Sequence, residues 1–214
     1  MTHRLRGLYV ITEDRRSGPE ALRSAVQAAL HGGARIVQYR DKGSDPTRRL
    51  AEARTLADLC RAQGAVFLVN DDIDLAVAAR ADGVHLGRHD RDVATARSRL
   101  PANGLIGVSC YDRFDMALQA AAQGADYVAF GSFFPSPTKP DAVRAGPGLL
   151  ERARRELSLP TVAIGGISPE NGAALVRAGA DMLAIISGVF AAPDITAAAR
   201  AYSNCFTIAE ESHP

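Results

Sequence analysis

The amino-acid sequence predicts an α/β chain folded as one (β/α)8 TIM barrel around a parallel eight-stranded sheet. Eight short β-type runs recur along the 214 residues, roughly one per 27. Ala-rich stretches of helical period separate them, and most junctions carry a Gly. The β-type runs are Gly7–Thr12, Ala34–Arg40, Val66–Asn70, Gly83–Leu86, Leu105–Ser109, Asp126–Gly131, Pro160–Gly165 and Met182–Ser187. Leu50, Ala53, Ala57 and Cys60 illustrate the intervening pattern, since their spacing lays one apolar stripe along a helix. Ala, the best helix former, supplies 39 residues, and Trp is absent.

Punctuation supports the alternation. Gly33, Gly83, Gly124 and Gly179 fall between a helix and the next strand, where a helix C-cap calls for positive φ. Ser44 and Asp45 before Pro46, and Ser168 before Pro169, read as N-caps followed by a proline at the first helical position. An open doubly wound sheet is the rival architecture. Its Gly-x-Gly-x-x-Gly turn is missing after the first strand, where Thr12 to Gly18 stand instead, so the barrel is preferred. The expected organisation is one domain over 1–208 with a frayed polar tail over 209–214.

Twenty-five Lys plus Arg against 24 Asp plus Glu leave a net charge of +1, without the basic surplus a nucleic-acid binder uses. Affinity for an anion must then come from a few placed cations. No apolar run approaches a membrane span. Cys60, Cys110 and Cys205 are odd in number and lack framework spacing, and the first residues are polar, so a cytoplasmic protein is expected.

In a barrel the reacting groups stand at the C-terminal ends of strands. The second run ends with Gln38, Arg40 and Lys42 on one side of the strand, two cations and an amide. Asn70, Asp71 and Asp72 follow the third run and Asp90 follows the fourth. Asp71 and Asp90 offer oxygen ligands to Mg2+, which takes only one or two protein carboxylates; alternatively Asp71 or Asp72 caps the next helix. His85, His89 and Asp90 mimic a transition-metal spacing that works only on a helix, whereas His85 sits in a strand, so His85 reads as a packed or hydrogen-bonded barrel residue. Cys110, next to Ser109, has no histidine in its motif to activate it as a nucleophile. The loop after the sixth run carries Ser136, Pro137, Thr138 and Lys139, and the segment behind it, to Gly148, has the composition of a lid. Small residues close the last two runs at Gly165, Gly166, Ser187 and Gly188, where barrels often hold a phosphate.

These motifs, in this order and over nearly the whole chain, resemble the thiamine phosphate synthase family. The resemblance rests on Gln38-x-Arg40-x-Lys42, Asn70-Asp71, Gly83 to Gly87 with Asp90, Gly107 to Ser109, Ser136-x-Thr138-Lys139, Gly165 to Ile167, and Ile186-Ser187. It implies a Mg2+-dependent transferase that joins a hydroxymethylpyrimidine pyrophosphate to a thiazole phosphate, releasing pyrophosphate by dissociative substitution. Carried over by position, Gln38, Tyr39, Arg40, Asp41, Lys42 and Asn70 hold the pyrimidine pyrophosphate. Ser109 and Lys139 contact its pyrophosphate; Ser136, Pro137, Thr138, Gly166, Ile186 and Ser187 surround the thiazole phosphate; Asp71 and Asp90 hold the metal. Arg40, Lys42, Ser109 and Lys139 are the implied catalytic set.

Two departures stand out. Ser136 replaces a common Thr and keeps the hydroxyl, and Tyr111 stands where the family commonly shows a histidine. A thiazole tautomerase relative would use that histidine and lack the pyrophosphate cations, so Arg40, Lys42 and Lys139 favour the synthase; a non-catalytic thiamine-precursor binder is the third reading. The expected partners are the two small-molecule substrates, in a monomer or homodimer, with no nucleic acid and no membrane.

Overall fold

Strict alternation along short strands divides the apolar residues into two cores. Tyr9, Ile11, Ile36, Val66, Leu68, Tyr127, Ala129, Val162, Met182 and Ala184 pack together on one side of the sheet, while Leu8, Val10, Val37, Phe67, Val69, Val84, Val128 and Leu183 pack with the helices on the other. Such a division, with both faces buried, belongs to a parallel sheet closed on itself inside a ring of helices. A computed structural model describes residues 5–13, 18–87, 92–135 and 143–211 of the chain and has this form. The strands are β1 (Gly7–Ile11), β2 (Ala34–Tyr39), β3 (Val66–Asn70), β4 (Gly83–Leu86), β5 (Leu105–Tyr111), β6 (Tyr127–Gly131), β7 (Thr161–Ile164) and β8 (Met182–Ile185). They pair in chain order, all parallel, and β1 closes on β8.

Around them lie α1 (Pro19–His31), α2 (Pro46–Ala62), α3 (Ile73–Ala79), α4 (Val93–Arg99), α5 (Phe114–Ala122), α6 (Gly148–Glu156), α7 (Pro169–Ala178), the short α8 (Ser187–Phe190) and α9 (Ile195–Glu211). Two helix starts follow the expected chemistry. The Asp45 carboxylate accepts from the Thr47 and Arg48 amides ahead of Pro46, and Ser168 forms a reciprocal capping box with Asn171 around Pro169. The C-terminal expectation needs two corrections. Gly33, Gly124 and Gly179 do have positive φ, but Gly83 belongs to β4, and the left-handed residue that stops α3 is Arg80, with φ of 55°. Gly83 is small for another reason: a Cβ there would lie 1.9 Å from the Leu105 carbonyl oxygen. Residues 209–211, expected in a frayed tail, are instead helical, because Tyr202, Cys205 and Ala209 continue one buried stripe of α9, which runs to Glu211; residues 212–214 lie outside the described set.

The junction signature carries a second device besides glycine. Asp82, Asp126 and Asp181 each stand just before an even-numbered strand, and each carboxylate accepts the backbone N–H of Phe67, Ile106 or Thr161 near the start of the preceding strand. The main-chain N–H of each Asp returns the bond to the carbonyl of the same residue. Donors at the sheet's lower rim are thus satisfied three times by one motif.

At the upper rim the loop after β2 is tied down from both sides. Thr12 donates its hydroxyl to the Arg40 carbonyl and accepts the Arg40 N–H at 2.9 Å. On the outside, Tyr39 donates to the buried Glu52 of α2 at 2.6 Å. Arg48 bridges Glu52, at 2.9 Å, and Asp41, at 2.8 Å. Arg48 holds the Asp41 carboxyl below its ordinary value, chiefly through that hydrogen bond.

Two stability predictions follow from this packing. Glu52→Ala, which strands the Tyr39 hydroxyl and one side of Arg48, should cost about 2–3 kcal/mol in urea unfolding; a cost near zero would dismiss the clamp. Gly107→Ala would put a Cβ 1.9 Å from Cζ of the buried Tyr127 ring. It should lower the melting midpoint by roughly 5–10 °C through overpacking, as followed by circular dichroism.

Candidate active site

The C-terminal ends of β5 to β8 open into a cavity of about 720 Å3. Ser109, Ala129, Gly131, Gly166, Ile186 and Ser187 line it, with Tyr111, Asp112, Arg113 and Val143 forming part of its outer wall. Four of the expected substrate residues, Ser109, Gly166, Ile186 and Ser187, therefore share one concavity. Gly166 has φ of 63°, and a Cβ there would lie 2.4 Å from the Pro135 carbonyl oxygen, so the close approach of two loops requires glycine. Tyr111 adopts φ of 55° at a register shift in β5.

β2 delivers its residues to the same rim in two directions. Gln38 points inward and is buried, Arg40 is half-buried and Lys42 is exposed at the strand end. Tyr39 and Asp41 point the other way, into the clamp with Glu52, Arg48 and Arg49. Within β2, parity turns Gln38 inward and Tyr39 toward α2, and Asp41, beyond the end of the strand, joins Tyr39 in bonding to that helix.

After β3 the three polar residues also part company. Asp72 is the N-cap of α3, accepting the Leu75 N–H at 2.9 Å, and it pairs with Arg49 at 3.1 Å. Asp71 takes the left-handed conformation, with φ of 63°, and its carboxylate accepts the Asn70 amide at 2.5 Å. The question of which aspartate caps the helix is thereby resolved in favour of Asp72. Asp90, Ser136, Pro137, Thr138 and Lys139 lie outside the described residues. Among the described residues no group of three or more His, Cys, Asp or Glu side chains gathers into a metal cluster. Among the described residues, Asp71 brings a carboxylate to the end of β3, a supply that fits a hard cation completing its shell with water and phosphate oxygens.

The barrel interior holds a feature that the sequence motifs did not reveal. Gln38 donates its amide N–H to the Tyr9 hydroxyl at 2.6 Å, and the Tyr9 and Tyr127 hydroxyl oxygens are 3.0 Å apart. Tyr127 lies 2.9 Å from Nδ1 of His85, whose Nε2 is 2.9 Å from the Ser109 hydroxyl. The His85 and Tyr127 rings stack with centroids 5.6 Å apart. His85 is thus the hydrogen-bonded barrel histidine expected from its strand position, and Ser109 does have a histidine partner, 24 residues away in sequence. Burial raises the pKa of both tyrosines, so they remain protonated donors. Inward parity of Tyr9, Gln38 and Tyr127 was the available signal, since a phenol inside a barrel needs a polar partner. Cys110 faces away from the mouth, fully buried, and burial pushes its thiol up to about 12, which removes it as a nucleophile.

Comparison with known proteins agrees with this layout. The family model described as thiamine monophosphate synthase matches residues 8–189. A protein of Thioalkalivibrio sulfidiphilus named thiamine-phosphate synthase is 53% identical over 205 residues, covering 96% of this chain and 97% of its own. One of the same name from Azoarcus sp. is 53% identical over 206 residues, covering 96% of this chain and all of its own. The solved structure of thiamine phosphate pyrophosphorylase from Pyrococcus furiosus superposes with a TM-score of 0.84 at 35% identity, covering 96% and 97% of the two chains. With the family model spanning all eight strands and curated relatives half identical end to end, this chain belongs to the thiamine monophosphate synthase family.

Proposed function

We propose that the protein is a thiamine-phosphate synthase, joining 4-amino-2-methyl-5-hydroxymethylpyrimidine pyrophosphate to a thiazole phosphate. The observation that carries this reading is the composition of one barrel mouth, in a chain half identical to proteins of that name: Arg40 and Lys42 at the end of β2, and a cavity lined by Ser109, Gly166, Ile186 and Ser187 across β5 to β8. The C–O bond between the pyrimidine methylene and the pyrophosphate breaks, its electron pair leaving with the pyrophosphate oxygen. The thiazole nitrogen donates its lone pair to form the new C–N bond. The aminopyrimidine ring delocalises the cation formed between these events, so the site needs no protein nucleophile.

Its task is to hold two substrates in line and to stabilise charge on the leaving group. Arg40, Lys42, Ser109 and Lys139 are assigned to the pyrophosphate, Gln38 and Asn70 to the pyrimidine side, and Ser136, Pro137, Thr138, Gly166, Ile186 and Ser187 to the thiazole phosphate. Tyr39 and Asp41 contribute their backbone only, because their side chains are engaged with α2. Asp71, with Asp90, is assigned to Mg2+, which when bound supplies positive charge to the leaving pyrophosphate. Three free, buried thiols suit a reducing compartment, and we place the reaction in the cytoplasm.

Purified protein given both substrates and Mg2+ should form thiamine phosphate, detected by mass spectrometry, and EDTA should abolish the product. Folded protein that forms none would overturn the assignment, and conversion of the thiazole phosphate without pyrimidine substrate or metal would replace it with the tautomerase reading. Lys139→Ala, Ser109→Ala and Asp71→Ala should each lower kcat about a hundredfold or more while leaving the melting midpoint within a few degrees. Wild-type turnover in a folded Asp71→Ala variant would refute the metal assignment.

A further inference from the structure

Five side chains form a continuous polar chain across the barrel, and the number of hydrogens each can donate gives the chain a direction. Gln38 donates through its amide nitrogen, so the Tyr9 oxygen accepts at that contact. A phenol has one hydrogen, and the other partner of the Tyr9 hydroxyl is Tyr127. Tyr127, accepting from Tyr9, directs its own hydrogen to Nδ1 of His85. An imidazole that accepts at Nδ1 while neutral carries its hydrogen on Nε2, and that nitrogen faces the Ser109 oxygen. Ser109 then accepts from His85, and its own hydrogen is left to point into the cavity that the residue lines.

We propose that Tyr9, Tyr127 and His85 form a positioning relay that sets Ser109 as a hydrogen-bond donor toward the anionic leaving group. The identity of that anion as pyrophosphate rests on the function proposed above; the polarity of the relay does not. The opposite polarity would have opposite chemistry. A His85 protonated on Nδ1 would draw the Ser109 hydrogen inward, leaving only lone pairs for a polyanion and making Ser109 a nucleophile in waiting. The surroundings hold one arrangement in place. Tyr9 and Tyr127 are almost completely buried, the His85 ring stacks on Tyr127, and Gly107 leaves the space the Tyr127 ring occupies. At the far end the relay is anchored by the buried Gln38, whose amide nitrogen donates to Tyr9.

Long-range 1H–15N NMR correlation on protein labelled in its five histidines reads the tautomer directly. The His85 signal is assigned by its loss in His85→Gln. A neutral imidazole with hydrogen on Nε2 at pH 7.5 is the expected result; hydrogen on Nδ1, or on both nitrogens, would overturn the relay whether or not any variant folds. In Tyr127→Phe the tautomer preference should weaken and kcat should fall about tenfold or more, with KM for the thiazole phosphate changed less than threefold. A folded Tyr127→Phe with wild-type kcat would also overturn it. His85→Gln, which keeps an N–H donor toward Ser109, should retain at least tenfold more turnover than His85→Leu, and equal losses would count against the relay. An Nε2–H tautomer in a protein that forms no thiamine phosphate would support the relay and reject the proposed reaction.

Discussion

Closure of β1 onto β8 is the constraint from which the rest follows. Once an eight-stranded parallel sheet is a barrel, every second residue points into a narrow interior that must be filled without voids, and any polar group placed there must find its partner inside. Ile36, Leu68, Val162 and Met182 fill one part of that volume. Tyr9, Gln38, Tyr127 and His85 occupy another, where their hydroxyls, amide and ring nitrogens satisfy one another. An unpartnered buried hydroxyl would cost about 1–3 kcal/mol, so such a set is stable only when complete. Because it ends at Ser109, on the cavity, the packing of the barrel interior and the lining of the cavity share atoms.

The upper rim shows how a nearly neutral chain sorts its charges locally. The β2 loop alternates cation, carboxylate and cation at Arg40, Asp41 and Lys42, and the carboxylate is taken by Arg48 and Arg49 of α2. The Thr12 hydroxyl and the Tyr39–Glu52 bond hold the loop backbone from inside and outside. A similar sorting after β3 commits Asp72 to the α3 cap and leaves Asp71 beside Asn70. A net charge of +1 does not describe such local sorting.

Much of this was legible in the residue order. The eight β-type runs, the Pro46 and Pro169 helix starts and the polar strand ends are local patterns, and local backbone preferences realise them. Reading the junction glycines uniformly as helix caps failed at Gly83, because a left-handed Arg80 does the stopping and Gly83 answers instead to the closeness of Leu105. The accompanying aspartates went unread because their targets, the N–H groups of Phe67, Ile106 and Thr161, lie one strand away, 15 to 20 residues earlier in the chain. Likewise Tyr39 and Asp41 stand in one polar run with Arg40 and Lys42, yet their side chains bond to Glu52 and Arg48 of α2, contacts that the run itself does not announce.

What the sequence by itself determined was the alternation of strand and helix, its closure in eight units, and which residue types stand at each strand end. Periodicity, capping and turn chemistry act over a few residues, and the string of residues contains all of them. Only the tertiary structure decided which of those residues act together: Asp72 rather than Asp71 as the cap, and Ser109 joined through His85 and Tyr127 to Tyr9 and Gln38. Those assignments depend on distances of about 3 Å between side chains far apart in sequence. Such distances exist only after β1 has closed on β8 and the strand register has set which inward residues share a level of the barrel.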